Sequence, residues 1–208
     1  MKPIILNCNS CKENLKVTEG SVLFYCQQCR KWYEEREGAL HEVAFLQADP
    51  NKAHRVDFYL PFRAFSLTTV VEGKDKGRCE RAQKLADTFQ RVYVQAFRTR
   101  AAVDYFDWGM EFTKEKVNFS GKTVSDLPNL GHCSRTNADC WPFARAYLIA
   151  FIDERVDVTD LEITCSLTSP ELIAVPFTVE KNYLVDCALG KRTPKVYLET
   201  IPELAETD

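Results

Sequence analysis

The spacing of hydrophobic positions changes several times along the chain, and each spacing predicts a different element. Apolar and polar residues alternate over short stretches, which is typical of half-buried strands. Strands are predicted at 39–46, 55–62, 64–71, 91–97, 161–167, 172–179 and 182–189, with further short strands within 117–124 and at 195–200. Apolar residues three and four apart predict helices at 79–89 and from about residue 139 to 154, and favour a third over 101–112.

The predicted helix that ends near Glu154 is expected to be the central one. Phe143, Tyr147 and Phe151 lie four residues apart, so they share one side of it. Asn137 or Asp139 is expected to cap its first turn. Because most of its surface is apolar, this helix belongs in the core.

The first residues follow a pattern of their own. A short strand at 4–6 and a hairpin of 15–17 with 21–25 are predicted around Gly20, whose freedom at positive φ suits a tight turn. A further strand is predicted at 31–34. These elements indicate a small all-β module.

Gly38, which follows a run of charged residues, is predicted to mark a boundary. The chain is then divided into a small module over 1–37 and a larger domain over 38–208. The fold class is α+β: the all-β module is followed by a mixed antiparallel-sheet domain with two or three helices.

Two similar strings lie in predicted strands of the larger domain. Tyr-Leu-Pro-Phe occupies 59–62, and Val-Pro-Phe occupies 175–177. An internal duplication of an α+β unit would explain them, and so would a chance match of two short apolar strings. Pro61 and Pro176 predict sheet edges, bends or bulges, because proline cannot donate to a strand ladder.

Composition places the chain among ordinary globular proteins. Its 208 residues are 45% hydrophobic and 27% charged, with a formal net charge of −3. The acidic balance argues against broad electrostatic capture of nucleic acid, and no apolar run is long enough for a membrane span. An odd count of nine cysteines and no secretory leader predict a reducing, cytoplasmic location.

Two cysteine pairs provide the strongest chemical signal in the chain. Cys8 and Cys11 are separated by two residues, as are Cys26 and Cys29, with fourteen residues between the pairs. Each pair can place two thiolates on one turn, and two such turns form a tetrahedral four-sulfur site that suits Zn²⁺. The sequence therefore predicts a structural zinc site, closed to water, that replaces the core which so small a module lacks.

The order strand, cysteine pair, hairpin, cysteine pair and strand resembles a zinc ribbon. Such ribbons often carry glycine after the second cysteine of a pair, where this chain has Lys12 and Arg30. The combination of this module with the Pro-Phe strands also resembles a group of uncharacterised bacterial zinc-ribbon proteins, which implies no activity.

Other readings of the four cysteines are a redox pair, a haem attachment site or a site for iron. Haem attachment needs His directly after the second cysteine, and a redox pair needs a strand-to-helix junction. A second cluster is formed by His132, Cys133 and Cys140, which could be a partial metal site, a thiol switch or ordinary loop and core residues. A position near a helix N-terminus would lower the pKa of Cys140.

No catalytic constellation stands out from the sequence. Asp104 and Asp107 flank aromatic residues but have no nearby histidine, so an acid–base role is disfavoured against a solvated helix face. His41 and His54 are predicted to be surface groups. No phosphate-binding glycine loop or nucleophile elbow is present.

Three functions follow from these features. The favoured one is a non-enzymatic adaptor or scaffold in which a zinc ribbon is fixed to an α+β domain and protein–protein contacts carry the function. The alternative is nucleic-acid binding by aromatic and basic residues of the module. Those residues are Trp32, Tyr33, Lys12, Lys16, Arg30, Lys31 and Arg36. An enzyme whose site is assembled from distant residues is the third.

Overall fold

The computed structural model describes residues 6–15, 19–50, 55–99, 107–168 and 170–194. Its strands are β1 (Leu23–Cys26), β2 (Lys31–Arg36), β3 (Ala39–Val43), β4 (Phe45–Ala48), β5 (Phe58–Glu72), β6 (Arg91–Gln95), β7 (Gly121–Val124), β8 (Glu162–Leu167), β9 (Glu171–Glu180), β10 (Tyr183–Asp186) and β11 (Arg192–Pro194). Its helices are α1 (Lys76–Ala86), α2 (Trp108–Lys114) and α3 (Asn137–Asp153). These elements confirm the α+β class: a three-stranded antiparallel sheet near the N-terminus precedes a mixed sheet of eight strands.

The small sheet has the order β1-β2-β3 and extends beyond the predicted module. Glu37 and Gly38 form the turn between β2 and β3, with φ values of 52° and 82°. Two consecutive residues at positive φ are typical of a two-residue hairpin turn. Gly38 therefore lies inside the small sheet, which ends at Val43; a domain boundary at residue 37 stays a prediction.

A single residue, Ala44, separates β3 from β4. β3 completes the small sheet by pairing with β2. β4 belongs to the large sheet, where it pairs antiparallel with β7 and parallel with β9. The predicted strand at 39–46 is therefore two strands that join the sheets without a linker.

The longest strand, β5, links most of the large sheet. It pairs with β9 through residues 58–64, with β6 through 62–66 and with β8 through 67–72. The two strands predicted at 55–62 and 64–71 are thus one strand, and Pro61 lies inside it.

The prediction that Pro61 and Pro176 mark sheet edges is wrong, since β5 and β9 are paired on both sides. Alternate residues of an antiparallel strand direct their backbone groups to opposite neighbours. The carbonyl of Pro61 accepts from the Ala96 amide at 3.0 Å, just where β6 has ended, and that of Pro176 accepts from the Cys187 amide at 2.9 Å. Each proline nitrogen, which has no hydrogen to donate, therefore faces away from the β5–β9 ladder.

Helix starts are set by capping side chains. Asp75 accepts a hydrogen bond from the Arg78 amide, so α1 begins at residue 76 rather than at the predicted 79. Thr136, and neither Asn137 nor Asp139, caps α3, while the Asp139 carboxylate accepts a hydrogen bond from the Thr136 amide. This reciprocal pair is a capping box.

Helix α3 is central, as predicted, and packs on β6, β5 and α1. Its inward residues are Cys140, Ala144, Tyr147, Leu148, Phe151 and Ile152. Phe143, which was expected on the same side as Tyr147, is 40% exposed. Its ring is covered by the guanidinium of Arg135, whose central carbon lies 4.6 Å from the ring centroid.

The two Pro-Phe strings lie side by side, because Tyr59 is opposite Pro176 in the β5–β9 ladder. The elements that follow them differ: α1 and β6 follow β5, whereas β10 follows β9 directly. The duplication stays a prediction. Of the region predicted as 101–112, the structure describes residues from 107, where α2 is capped by Asp107; residues 195–200 lie outside the described ranges.

Candidate metal centre

The first cysteine pair lies in a short turn between two bridged segments. Asn7 pairs with Asn14, and the Leu15 amide donates to the Leu6 carbonyl at 2.8 Å. Inside that bridge the Lys12 amide donates to the Cys8 carbonyl at 3.0 Å. The turn directs both sulfurs to one side. Residues 16–17, the rest of the strand predicted at 15–17, lie outside the described residues.

The second cysteine pair forms the turn between β1 and β2. The Arg30 amide donates to the Cys26 carbonyl at 2.7 Å, which repeats the Lys12 interaction of the first pair. The Cys29 amide approaches the Cys26 sulfur at 3.3 Å. The structure pairs β1 with β2 across the cysteines. The predicted hairpin of 15–17 with 21–25 stays a prediction, because residues 16–18 lie outside the described ranges.

The four predicted metal ligands come together. The ligand atoms of Cys8, Cys11, Cys26 and Cys29 all lie within 4.8 Å of one another. The Sγ atoms of Cys8 and Cys29 are 3.7 Å apart, and those of Cys11 and Cys26 are 3.5 Å apart. A tetrahedron with metal–sulfur bonds of about 2.3 Å has sulfur–sulfur edges of about 3.8 Å. The group can therefore hold a metal ion, consistent with a zinc-binding module.

Ionisation of these thiols without a cation is limited by their proximity. Burial raises the pKa of Cys8, but hydrogen bonds from the Tyr33 hydroxyl and from backbone amides lower it overall to about 6. The hydrogen bond with Cys11 and burial raise the pKa of Cys29 to about 12, and burial raises that of Cys26. A thiolate is thus favoured at Cys8, and a bound cation would be needed to deprotonate Cys26 and Cys29.

Tyr33 supports the sulfur group from β2. Its side chain is buried, and its hydroxyl lies 3.3 Å from both the Cys8 sulfur and the Ser10 hydroxyl. Burial and the neighbouring Cys8 raise the pKa of Tyr33 to about 12. The hydroxyl therefore stays protonated and can donate to a Cys8 thiolate.

Replacing Tyr33 by phenylalanine should weaken metal binding without unfolding the module. The ring would still fill its site, but a thiolate at Cys8 would lose a donor. Loss of such an outer hydrogen bond costs roughly tenfold in metal affinity, measurable by competition with a chelator. Tyr25→Phe is the control, because that hydroxyl donates to Asp126 at 2.9 Å instead. Equal affinities for the Tyr33→Phe variant and the wild type would contradict this role.

Lys12 and Arg30 occupy the positions where ribbons often carry glycine, and both are left-handed, with φ of 67° and 57°. A side chain at such φ costs about 1–2 kcal/mol. Lys12→Gly should therefore stabilise the metal-bound protein by up to about 1 kcal/mol, after the larger entropy loss of glycine on folding. Urea denaturation measures this. Glu13→Gly, at an adjacent exposed residue without positive φ, should destabilise the metal-bound protein. The prediction fails if Lys12→Gly destabilises it as well.

Several side chains fix the small sheet to the rest of the described structure. Trp32 donates its indole N–H to the Leu127 carbonyl at 3.1 Å, and its ring packs against Phe45. The Arg30 guanidinium lies 2.6 Å from the Asp126 carboxylate. Trp32 is thus packed against the large sheet, whereas Tyr33 packs beside the cysteines.

A buried ion pair adds to this attachment, and the sequence did not identify it. The Nη2 atom of Arg63, on β5, lies 2.6 Å from an oxygen of Glu34, on β2, and both side chains are at most 2% exposed. Arg36 binds the other oxygen of Glu34 at 2.5 Å. Arg63 also donates to the Arg135 carbonyl at 2.9 Å and to the Asn137 side chain. A charged residue inside the apolar run 60–65 was the available signal.

The second predicted cluster does not form a metal site. The group of Cys8, Cys11, Cys26 and Cys29 is the one metal-type cluster found among the described residues. Burial raises the pKa of Cys133 to about 12 and that of Cys140 to about 11. The expected lowering of the Cys140 pKa at the start of α3 is therefore wrong, because burial outweighs it.

The remaining candidates have structural surroundings where they are described. Asp107 caps α2 and accepts from the Tyr147 hydroxyl. His41 is exposed on β3. Asp104, His54 and Lys16 lie outside the described residues.

Comparisons with protein-family models, with curated proteins and with solved structures each gave no match. Among the described helices, none combines the length and the apolar character that crossing a bilayer requires.

Proposed function

We propose that this protein is a non-enzymatic adaptor, in which a structural Zn²⁺ ion holds a small ribbon on an α+β domain and the assembled surface binds a partner protein. The proposal depends mainly on one observation: four sulfurs at tetrahedral spacing close the site, and the module around them is fixed to the domain.

The donor set supports zinc and a structural role. Four thiolates in a tetrahedral arrangement favour Zn²⁺ or iron over Mg²⁺ and Ca²⁺, which prefer oxygen ligands. With all four positions filled by sulfur, the ion has no place for a reacting water, unlike a catalytic zinc. The ion's contribution would therefore be to hold the module together.

Fixed attachment supports an adaptor. The Arg63–Glu34 ion pair, the Trp32 contacts and the direct passage from β3 to β4 join the ribbon to the large sheet. A module attached in this way presents one surface with the domain. Such a pre-organised surface loses little freedom when a partner binds.

The nucleic-acid alternative keeps less support. Tyr33 is buried and Trp32 packs internally, so neither is placed for base stacking. Arg30, Lys31 and Arg36 lie beside Asp126, Glu42 and Glu34, which offset their charge.

The test combines metal analysis with partner detection. Elemental analysis of purified protein should give one zinc per chain. Light scattering of the complex captured from the source cell should give a protein partner at fixed stoichiometry, with an absorbance spectrum free of nucleic acid. Salt-dependent retention on single-stranded DNA, together with no protein partner, would overturn the proposal in favour of the alternative.

A further inference from the structure

The C-terminal half of β5 and all of β8 form a two-stranded arm, which we define as residues 67–72 and 162–167. One face of the arm is covered, since Val71 and Ile163 pack with Ala82 of α1 and Leu148 of α3. The other face is open. It carries Thr68, Val70 and Glu72 of β5 and Glu162, Thr164 and Ser166 of β8.

The two edges of the arm differ. On the β5 edge, the Gln83 side chain donates to the Thr69 carbonyl and accepts from the Val71 amide, both at 2.9 Å. This one amide group occupies the backbone sites that another strand would use. On the other edge, β8 pairs with β5 and with no other described strand.

The backbone alternation identifies the groups of β8 that no described strand pairs with. The Thr168 amide donates to the Ser66 carbonyl at 3.0 Å. The backbone amides and carbonyls of the even-numbered residues therefore point from each strand toward the other. The Gln83 contacts to Thr69 and Val71 agree, because odd-numbered residues of β5 face away from β8. The amides and carbonyls of Ile163 and Cys165 therefore point outward from the edge.

Other edge strands of the described chain are shorter or blocked. β7 has four residues and includes Lys122, and β11 has three and ends in Pro194. On β3, the Asn9 side chain donates to the Leu40 carbonyl at 2.9 Å. β8 has six residues without Lys, Arg or Pro, so it lacks the features that commonly protect edges.

Charge at one end of this edge indicates the partner's chemistry. Glu72 and Glu162 are directly opposite each other and exposed, which is unfavourable for the pair alone. They line a cleft of about 640 Å³ with Asp75 and Asp160, although Lys74 and Arg78 also line it. Arg78 is engaged by Asp157 at 3.4 Å, and no ion pair of Glu72 or Glu162 is found within the described residues. A cation from a partner would relieve their repulsion.

We propose that the outer edge of β8 binds an extended segment of a partner protein, which adds an antiparallel strand and places Lys or Arg at its C-terminal end beside Glu162 and Glu72. Antiparallel addition is the more stable pairing, and it brings the partner's C-terminal end to the start of β8. This inference rests on the adaptor function and names its docking surface.

The probe is a synthetic peptide in which Val and Thr alternate over six residues, followed by two Lys. In zinc-loaded full-length protein, the amides of Ile163 and Cys165 should exchange rapidly with solvent deuterium, while that of Thr164 is protected. The peptide should slow the exchange of both outward amides. A peptide with the two Lys at its N-terminal end should bind roughly tenfold more weakly, since two favourable charge pairs are lost.

Thr164→Lys, at an exposed residue of β8, should abolish peptide binding because a lysine in mid-strand protects an edge. Thr123→Lys, at an exposed residue of the edge strand β7, is the matched control and should bind as the wild type does. Equal effects of the two variants would overturn the inference. Slow exchange of the outward amides in free protein would also overturn it. In a monomer, slow exchange would mean that the protein's own chain covers the edge; in a dimer, it would mean that a second copy does.

The same variants separate this inference from the adaptor function. If the cellular partner is lost with Thr164→Lys and kept with Thr123→Lys, the edge is the docking surface. If both variants keep the partner, the edge assignment is wrong and the adaptor function stands. If no form of the protein has a protein partner but the peptide binds, the adaptor function is wrong.

Discussion

Replacing Cys26 by serine is expected to release the metal and unfold the small sheet. A structural zinc site contributes on the order of 10 kcal/mol of apparent binding free energy at neutral pH. That is as large as the whole folding stability of an ordinary domain. Serine at position 26 removes one of four sulfur ligands, so most of this free energy should be lost.

The sulfur site itself has little other core around it. The cluster around the sulfurs has five buried residues, two of which are the ligands Cys8 and Cys26. The others are Leu15, Phe24 and Tyr33, and Tyr33 itself lies against the Cys8 sulfur. Without the ion, this core is too small to offset the entropy of ordering the chain.

Elemental analysis and residue-level hydrogen exchange measure the two effects. In Cys26→Ser, zinc per chain should fall to near zero, and the amides of β1 and β2 should lose protection while those of β5 and β9 keep it. Cys79→Ser, on α1, is the control and should change neither. Removal of the metal by a chelator should reproduce the exchange pattern. Bound metal or protected β1 and β2 amides in the serine variant would show that the sulfur group is not the site.

The sulfur site could be predicted because its ligands are close in sequence. Each pair lies on one turn, and the spacing of Cys8 from Cys11 and of Cys26 from Cys29 is sufficient to suggest it. The periodicity of apolar residues likewise located the core strands and α3, because both signals are local. What these signals left open was pairing: the ladder between β1 and β2 across the second cysteine pair was not predicted.

The attachment of the small sheet to the large sheet could not be predicted from local patterns. Glu34 occurs in a charged run that suggests a solvated surface, yet it is buried against Arg63, 29 residues away. Pro61 was expected at an edge, bend or bulge because proline has no N–H to donate. Only the register with β9 shows that the Pro61 nitrogen faces away from that strand. In each case the deciding contact joins residues that are distant in sequence. Local sequence patterns do not specify such contacts.

Arg63→Met is expected to destabilise the metal-bound protein by about 3–5 kcal/mol, which is the typical cost of removing one partner from a buried ion pair. The variant leaves Glu34 buried with Arg36 alone, and it leaves the Arg135 carbonyl without the donors that Arg63 supplied. Arg91→Met is the matched control. Arg91 pairs with Glu171 on the surface, with side chains 31% and 46% exposed, so its loss should cost less than about 1 kcal/mol.

Urea denaturation of the zinc-loaded protein measures both free energies, and a second variant identifies the cause. Adding Glu34→Met to Arg63→Met removes the buried carboxylate that has lost one of its two partners, so the double variant should be more stable than Arg63→Met alone. Metal affinity should change little, since neither residue contacts a sulfur, whereas exchange of the amides in β2 should increase as the module loosens from β5. If Arg63→Met lowers the free energy of unfolding no more than Arg91→Met does, the buried pair does not hold the small sheet in place. The contacts of Trp32 and the β3–β4 connection would then have to do so without it.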